Sequence, residues 1–238
     1  MRPPRVENPV FLLDYDGTLA EIAPRPEEAR PYPGVPELLA ALARRYPVYL
    51  VTGRRVWDLE RLLPVRGLRA YGVHGLEEGT LFGQVRARVP EAALVGLEIV
   101  RERLPRLPGL RVEDKELAIA LHYRGAPDEG DLEAALRRLA EELPPGLEAL
   151  WGKKVLEIRP RGFGKGRVAR EIAGRFPDRT SVVLGDDATD EEMFRALPEA
   201  VTVKVGPGPT AARYRLPDVA AAVGYLREYL EDHEEEHP

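Results

Sequence analysis

The predicted fold rests on one stretch, Asn8-Pro9-Val10-Phe11-Leu12-Leu13-Asp14-Tyr15-Asp16-Gly17-Thr18-Leu19. Its unbroken apolar run is typical of a strand that is buried on both faces of a parallel sheet. Reactive groups in such sheets lie beyond the carboxyl ends of the strands, where Asp14 and Asp16 stand. Two carboxylates this close repel each other unless a cation or a proton lies between them. The alternative is a plain Asx turn, which needs only one aspartate.

The composition restricts the class of protein. The chain has 238 residues, a formal net charge of −5 and no cysteine, and it is long enough for a main domain with a smaller one. The negative charge argues against a general nucleic-acid binder, and the lack of cysteine excludes disulfides and thiol ligands. No run approaches the ~18 apolar residues of a membrane span, and residues 10–13 are too few for a signal peptide. We therefore expect a cytoplasmic protein that binds neither nucleic acid nor membrane.

Two further buried strands are predicted to end in polar clusters. Residues 48–51 lead to Thr52-Gly53-Arg54, and residues 181–184 lead to Gly185-Asp186-Asp187. A helix is predicted to begin at Lys165, directly after glycines, so that backbone N–H groups and a cation stand together. If the three strands are neighbours in the sheet, their clusters converge at one edge. The pattern predicts an α/β fold with a doubly wound parallel sheet.

The middle of the chain follows a different pattern. Residues 85–160 read as helix, two strands, helix and two strands, and the strands alternate in polarity. In the last strand Leu156 and Ile158 share one face, whereas Val155, Glu157 and Arg159 share the other. We therefore predict a Rossmann-like core of residues 1–84 and 161–238, interrupted by an inserted α+β domain at residues 85–160.

Three local features are also predicted. Glu78-Gly79-Thr80 is typical of a hairpin turn between two short strands. A helix over residues 55–63 is expected to bury Trp57 together with its leucines. The acidic residues 231–238 are expected to form a frayed tail.

The polar clusters suit phosphoryl transfer. Oxygen ligands without cysteine favour Mg²⁺, held by Asp14, the backbone carbonyl of Asp16, and Asp186. Asp14 is the predicted nucleophile that forms an aspartyl-phosphate, and the Asp16 carboxyl is the predicted acid and base. Lys165, Thr52 and the Gly53 N–H are expected to hold the phosphoryl oxygens. Asp190 would orient a metal-bound water or Lys165, and Asp187 would support the metal site or cap the next helix.

These motifs carry a family resemblance. Four of them resemble those of the haloacid dehalogenase superfamily of phosphatases, namely Asp14-Tyr15-Asp16-Gly17-Thr18, Thr52-Gly53-Arg54, Lys165 and Gly185-Asp186-Asp187. The inserted domain resembles the superfamily's C2-type cap. Four longer strings resemble the trehalose-6-phosphate phosphatase family, namely Val112-Glu113-Asp114-Lys115, Leu121-His122-Tyr123-Arg124, Lys154-Val155-Leu156-Glu157-Ile158-Arg159-Pro160-Arg161-Gly162 and Gly185-Asp186-Asp187-Ala188-Thr189-Asp190-Glu191.

The resemblance implies an activity and further site residues. It implies Mg²⁺-dependent hydrolysis of trehalose 6-phosphate, with substrate specificity in the cap and a functional link to a trehalose-phosphate synthase. Glu113, Lys153 and Glu157 match positions that contact the disaccharide in the family. The other residues expected to contact substrate are Arg54, His74, His122 and Arg124. Val73 stands where many relatives have an acidic residue, and Thr52 replaces the commoner serine but keeps the hydroxyl.

Other functions would fit some of the same residues. Another capped sugar-phosphate phosphatase, acting on sucrose phosphate or mannosyl-phosphoglycerate, would use the same core. A phosphomutase is disfavoured because nothing obvious would hold a bisphosphate. A receiver-like signalling module also has an acidic cluster around a phosphorylated aspartate, but it needs neither Asp16 nor an inserted domain. A sugar-binding protein would not need Lys165 beside several carboxylates.

Overall fold

The structure is a computed structural model that describes residues 2–231. The predicted acidic tail lies outside the described residues, apart from its first residue. Contacts divide the chain into a first unit, formed by the residues up to Arg86 and those from Gly164, and a second unit, Ala87–Phe163. Within residues 2–231 no helix is long and apolar enough to cross a bilayer.

The chain forms twelve strands within residues 2–231. In chain order they are β1 Pro9–Leu13, β2 Val48–Val51, β3 Arg69–Gly72, β4 Glu77–Thr80, β5 Val85–Ala87, β6 Arg111–Asp114, β7 Ile119–His122, β8 Leu147–Gly152, β9 Val155–Pro160, β10 Thr180–Gly185, β11 Val201–Val205 and β12 Tyr214–Leu216. Eight of them make one sheet, in the order β12-β11-β10-β1-β2-β3-β4-β5. Pairing is parallel from β12 to β3, and β4 joins β3 antiparallel.

Helices cover both faces of this sheet. The α-helices of residues 2–231 are α1 Val35–Arg45, α2 Val56–Leu62, α3 Glu91–Arg103, α4 Glu129–Glu141, α5 Lys165–Arg175, α6 Asp190–Ala196 and α7 Val219–Glu231, of which α3 and α4 belong to the second unit. Phe11 and Leu13 pack on one face in a cluster with side chains of α1 and α7. Val10 and Leu12 pack on the other face with α5 and α6. The apolar run of β1 is unbroken because the strand is buried on both faces. A mainly parallel sheet with helices on both faces confirms the predicted doubly wound α/β fold.

The register brings the polar clusters together. Leu13 of β1 is aligned with Leu50 of β2 and with Leu184 of β10. The Asp14 N–H donates to the carbonyl of Leu184 at 3.0 Å. Parallel strands in this register end at the same edge. The three strands are therefore neighbours, which is the condition under which their polar clusters converge.

The second unit contains its own antiparallel sheet, in the order β6-β7-β9-β8. Leu156 and Ile158 are buried in a cluster with side chains of α3 and α4. Glu157 pairs with Ala120, which pairs with Glu113, so these two carboxylates lie on the opposite face. The predicted alternation of β9 is therefore confirmed.

The predicted hairpin turn at 78–80 is wrong. Glu78, Gly79 and Thr80 belong to β4 and pair with β3. The chain turns afterwards, where Phe82 has a φ of 57°. A Cβ on Gly79 would lie 2.3 Å from the carbonyl oxygen of Gln84. Gly79 is thus needed for close approach of the backbone of the following strand, not for a turn.

The predicted burial of Trp57 is also wrong. Its side chain is 58% exposed, and the Arg61 guanidinium lies 5.3 Å from its ring centroid. Helix α2 buries Val56 and Leu59, which are three residues apart on one face. Trp57 is one position away from that face, so the short helix turns it towards solvent.

Candidate active site

A buried lysine joins two aspartates at the edge of the sheet. Lys165 Nζ donates to Asp14 Oδ1 and to Asp190 Oδ1, both at 2.7 Å. Asp14 follows β1, whereas Lys165 and Asp190 are the first residues of α5 and α6. All three residues are buried. A buried cation between two buried carboxylates keeps each charge compensated, which is the condition for burying charge at all.

Asp186 completes a cluster of three carboxylates. Asp14, Asp186 and Asp190 each offer one oxygen, and these atoms lie within 4.8 Å of one another. Asp186 lies directly against Gly17, where a Cβ would come 2.1 Å from Asp186 Oδ2. Gly17 also has a φ of 72°, which L side chains rarely adopt. The glycine after the two aspartates therefore makes room for the third carboxylate as well as allowing the turn.

The cluster is costly to keep fully charged. Burial, together with Asp187 and Asp186, raises the pKa of Asp14 to about 7, although the Lys165 charge acts in the opposite direction. Burial, followed by Asp190 and Asp187, also raises the pKa of Asp186 to about 7. Burial alone would lower the pKa of Lys165. The negative charges of Asp14 and Asp190 have the larger combined effect and raise this pKa well above its ordinary value. The lysine is therefore charged, and the carboxylates still lack enough positive charge.

The loop between β10 and α6 is ordered by two aspartates. Asp190 Oδ2 accepts from the N–H groups of Asp186 and Asp187 at 2.9 and 3.1 Å. Asp187 Oδ1 accepts from Thr189 and from the first amide of α6, at 2.8 and 3.0 Å. Burial raises the pKa of Asp187, but the Lys165 charge and these hydrogen bonds outweigh it and lower the pKa to about 2. Asp187 thus makes helix-capping contacts, which were one of the two roles predicted for it. Asp190 contacts Lys165 directly.

Lys204 is a site residue that the sequence reasoning missed. It lies in β11, is 6% exposed, and its Nζ donates to the backbone carbonyl of Asp186. A lysine inside the otherwise apolar strand Val201–Val205 was the available signal, since buried lysines occur almost only where they have a partner. Lys204 adds a second positive charge beside the cluster.

Asp16 is paired with an arginine from the next cluster. Arg54 Nε donates to Asp16 Oδ2 at 2.7 Å, and Arg54 Nη2 donates to Asp16 Oδ1 at 2.6 Å. The guanidinium also lies 5.7 Å from the ring centroid of Tyr15. The Asp16 side chain remains 39% exposed. Arg54 was expected to contact substrate, and in this structure its guanidinium binds the predicted acid and base instead.

Thr52, Gly53 and His74 lie together beyond β2 and β3. Thr52 is buried and its Oγ1 accepts from the Arg54 N–H at 3.1 Å. A Cβ on Gly53 would lie 2.7 Å from Cε1 of His74, so the imidazole lies against this glycine. His74 and Val73 have φ values of 54° and 46°. Such a conformation is costly for a β-branched residue, and strain of this kind is concentrated at functional sites.

The remaining predicted residues lie in the second unit. His122 Nε2 is 3.0 Å from Glu113 Oε2, and Lys115 Nζ is 3.8 Å from Glu157 Oε2. The hydrogen bond from His122 is the main cause that lowers the pKa of Glu113. Arg124 donates to the carbonyl of Lys153, which lies in the turn between β8 and β9, at 3.2 Å. Glu113, His122 and Glu157 therefore share the polar face of this sheet.

The residues at the sheet edge fit a hard divalent cation. The three clustered donors are carboxylate oxygens, the ligand type that Mg²⁺ prefers. Asp14, Asp186, Asp187 and Asp190 face two cations, Lys165 and Lys204. Burial, together with repulsion from the neighbouring carboxylates, raises the pKa values of Asp14 and Asp186, and an added cation would favour their charged forms. Both oxygens of Asp190 already accept from Lys165 or from loop amides, so Asp14 and Asp186 are the side chains that could hold the cation.

Comparison with known proteins identifies the family. A sequence model described as trehalose-phosphatase matches residues 12–220. The chain belongs to the trehalose-phosphatase family. It is 33% identical over 236 residues to trehalose-6-phosphate phosphatase of Escherichia coli, covering 92% of this chain and 89% of that protein.

This trehalose-phosphatase family member is also similar to a longer bifunctional protein and to a solved structure. It is 39% identical over 220 residues to the bifunctional trehalose-6-phosphate synthase/phosphatase of Thermoproteus tenax, covering 88% of this chain and 30% of that protein. A crystal structure of a trehalose-6-phosphate phosphatase related protein matches with a TM-score of 0.78 and 31% identity, covering 95% of this chain and 100% of that chain. The family resemblance is confirmed, and the chain is a phosphoric monoester hydrolase.

Proposed function

We propose that this chain hydrolyses trehalose 6-phosphate to trehalose and phosphate through an aspartyl-phosphate on Asp14. The observation that carries the proposal is the position of Asp14, buried at the sheet edge with Lys165 at 2.7 Å and Asp186 and Asp190 beside it, in a chain of the trehalose-phosphatase family. Family membership favours this hydrolase over a receiver-like signalling module.

The two motif aspartates take different roles in the proposed reaction. Asp14 attacks phosphorus, and the bond between phosphorus and the sugar oxygen breaks while Asp16 gives that oxygen a proton. Water then attacks the aspartyl-phosphate, Asp16 takes the proton of the water, and inorganic phosphate leaves with Asp14 restored. The difference in burial supports this division, because Asp14 is 4% exposed whereas the Asp16 side chain is 39% exposed. A half-exposed carboxyl is accessible to a leaving group and to an attacking water, as both steps require.

Positive charge and N–H groups would hold the phosphoryl oxygens. Lys165 already contacts Asp14, so it can bind a phosphoryl group attached to the same carboxylate. Thr52 accepts from the Arg54 N–H, which leaves its hydroxyl proton for a substrate oxygen. The Gly53 N–H would add a donor from the same loop.

Magnesium is the proposed cofactor. Asp14, Asp186 and the backbone carbonyl of Asp16 would hold it, with Asp190 and Asp187 supporting them. When bound, Mg²⁺ would offset the negative charges of nucleophile and phosphate. Asp190 would keep Lys165 and the loop amides of Asp186 and Asp187 in place.

Residues 85–160 would form the cap that recognises the disaccharide. The supporting observation is the polar face of its sheet, where Glu113, His122 and Glu157 stand together. Carboxylates and imidazoles on one surface provide the donors and acceptors that sugar hydroxyls require. Lys153 and Arg124, which are in contact, would add two cations, and His74 would contact substrate from the core.

A panel of sugar phosphates tests the substrate. We expect the highest kcat/KM for trehalose 6-phosphate in the presence of Mg²⁺, measured as phosphate release. Sucrose 6-phosphate, mannosyl-3-phosphoglycerate and glucose 6-phosphate serve as comparison substrates. A higher kcat/KM for one of them would reject the substrate while leaving a phosphatase in place, and no release from any of them would reject the proposed function.

A functional link to a trehalose-phosphate synthase is also proposed. The relative from Thermoproteus tenax is named as a synthase and phosphatase in one chain. A glycosyl transfer that makes a phosphorylated disaccharide would supply this substrate. The cytoplasmic location remains a prediction.

A further inference from the structure

A cavity lies in the first unit, away from the sheet edge that carries Asp14. Its volume is about 670 Å³, and its lining includes Tyr49, Arg69, Tyr71, Thr80, Arg86 and Arg175. Arg69 is the first residue of β3, and its partner Tyr49 is the second residue of β2. The cavity therefore opens near the amino ends of these parallel strands, whereas Asp14 follows a carboxyl end. Its volume is within the range of small-molecule sites.

The walls of this cavity carry more positive than negative charge. Arg86 and Arg175 both contact Glu78, at 2.6 and 3.0 Å, and Arg175 also contacts Glu171 at 2.6 Å. Arg69 instead donates to the Tyr49 hydroxyl at 2.7 Å. Among residues 2–231, no carboxylate lies within ion-pair distance of Arg69. Three guanidinium groups, from β3, β5 and α5, thus line the cavity together with a single carboxylate, that of Glu78.

The floor of the cavity is aromatic. The Tyr49 ring lies 6.2 Å from the Tyr71 ring and 6.1 Å from the Phe176 ring, between centroids. Arg69, Tyr71, Glu78 and Thr80 share one face of the sheet, since β3 and β4 pair Arg69 with Thr80 and Tyr71 with Glu78. Tyr49 and Tyr71 are buried, whereas Phe176 is partly exposed. Aromatic surface beneath a cationic rim suits a ligand with an organic part and an anionic group.

We propose that this cavity binds a small organic phosphate. The donors come from three separate elements, and a tetrahedral phosphate can accept from several directions, whereas a carboxylate has two oxygens in one plane. The phosphate group accepts hydrogen bonds from Arg69 and replaces the Tyr49 hydroxyl as the acceptor for that guanidinium. The organic part lies against the aromatic floor. This site is separate from the proposed catalytic site and does not depend on the proposed substrate.

A single reporter cysteine allows a direct test with inorganic phosphate as the probe. The chain has no cysteine, so Gln84→Cys introduces a single thiol at a residue that lines the cavity. A fluorophore attached to this thiol reports on the cavity. At constant ionic strength we expect a saturable fluorescence change with Kd at about 1 mM or below. The matched label is Ala43→Cys, an exposed position on α1, which packs on the opposite sheet face. It should show no saturable change.

Arginine variants in the Gln84→Cys chain identify the binding group. Arg69→Gln should weaken phosphate binding at least about tenfold, as expected for loss of a charge-assisted hydrogen bond. Arg66→Gln, an exposed arginine outside the cavity lining, should leave Kd unchanged. Arg86→Gln offers a second test if Arg69→Gln unfolds, as checked by circular dichroism.

Three outcomes would overturn the proposal. One is an equal response in the Arg69→Gln and Arg66→Gln chains, which would place the phosphate elsewhere. Another is an equal or tighter response to acetate, which would indicate a carboxylate site. The third is a response that changes with protein concentration and follows dimer formation in sedimentation, which would indicate a second copy of the chain.

Discussion

Arg54 holds both carboxylate oxygens of Asp16, through Nε at 2.7 Å and Nη2 at 2.6 Å. The Arg54 side chain is 13% exposed, and its guanidinium lies over the Tyr15 ring. A bidentate pair of this kind fixes the plane as well as the position of a carboxylate. Arg54 therefore determines where the proposed acid and base points.

Arg54→Gln should impair the leaving-group step. An aryl phosphate with a poor leaving group needs a proton from Asp16, whereas p-nitrophenol leaves with little help. We expect kcat/KM to fall by about 100-fold for phenyl phosphate and much less for p-nitrophenyl phosphate. Both substrates are small and aromatic, so contacts to a disaccharide do not enter. Asp16→Asn is the reference for complete loss of the acid, and an equal fall for both substrates in Arg54→Gln would contradict the positioning role.

Asp14→Asn should abolish turnover. An amide is not a nucleophile towards phosphorus, and we expect kcat to fall by at least about 1,000-fold. Acid quenching of the wild-type chain with labelled substrate should trap phosphate on protein, and the variant should trap none. Retained turnover would contradict the covalent mechanism.

Lys165→Met should destabilise the metal-free protein. Loss of the buried cation leaves Asp14 and Asp190 without their partner, which costs about 3–5 kcal/mol for a buried ion pair. The free energy of unfolding in urea, measured with a chelator present, tests this. Lys154→Met is the control, since Lys154 pairs with Glu129 at the surface and its removal should change the unfolding free energy little. Similar losses for the two variants would show that burial does not decide the effect.

Gly17→Ala should disturb the metal site. Its Cβ would lie 2.1 Å from Asp186 Oδ2, so this carboxylate must move. Gly67→Ala is a matched control, because Gly67 has a φ of 76°, close to the 72° of Gly17, and nothing within 4 Å of its added Cβ. Both variants should lose about 1 kcal/mol of stability from the positive φ, but only Gly17→Ala should weaken Mg²⁺ binding in calorimetry. Unchanged Mg²⁺ affinity in Gly17→Ala would remove Asp186 from the metal ligands.

Glu157→Ala should affect only the sugar substrate. Glu157 lies on the polar face of the second sheet, so we expect a raised KM for trehalose 6-phosphate and unchanged kinetics with p-nitrophenyl phosphate. Glu133→Ala, on helix α4, should change neither. An equal loss on both substrates in Glu157→Ala would make Glu157 a structural residue.

The sequence alone determined the buried strands and the residues that follow them. The apolar run before Asp14 and the alternation around Leu156 and Ile158 are local patterns, because burial on two faces or on one is expressed in successive residues. The sequence indicated Asp14, Lys165 and Asp186 as candidate site residues, but their convergence depended on β10, β1 and β2 being neighbours, which the sheet order supplies.

Which of these side chains are partners depends on the tertiary structure. Arg54 and Asp16 are 38 residues apart in the chain, and Lys204 reaches Asp186 from a neighbouring strand. The role of Gly79 and the exposure of Trp57 likewise depend on what packs beside them. The physical reason is that periodicity reports which face of an element is buried, whereas a hydrogen bond or an ion pair depends on the distance between atoms of elements far apart in the chain.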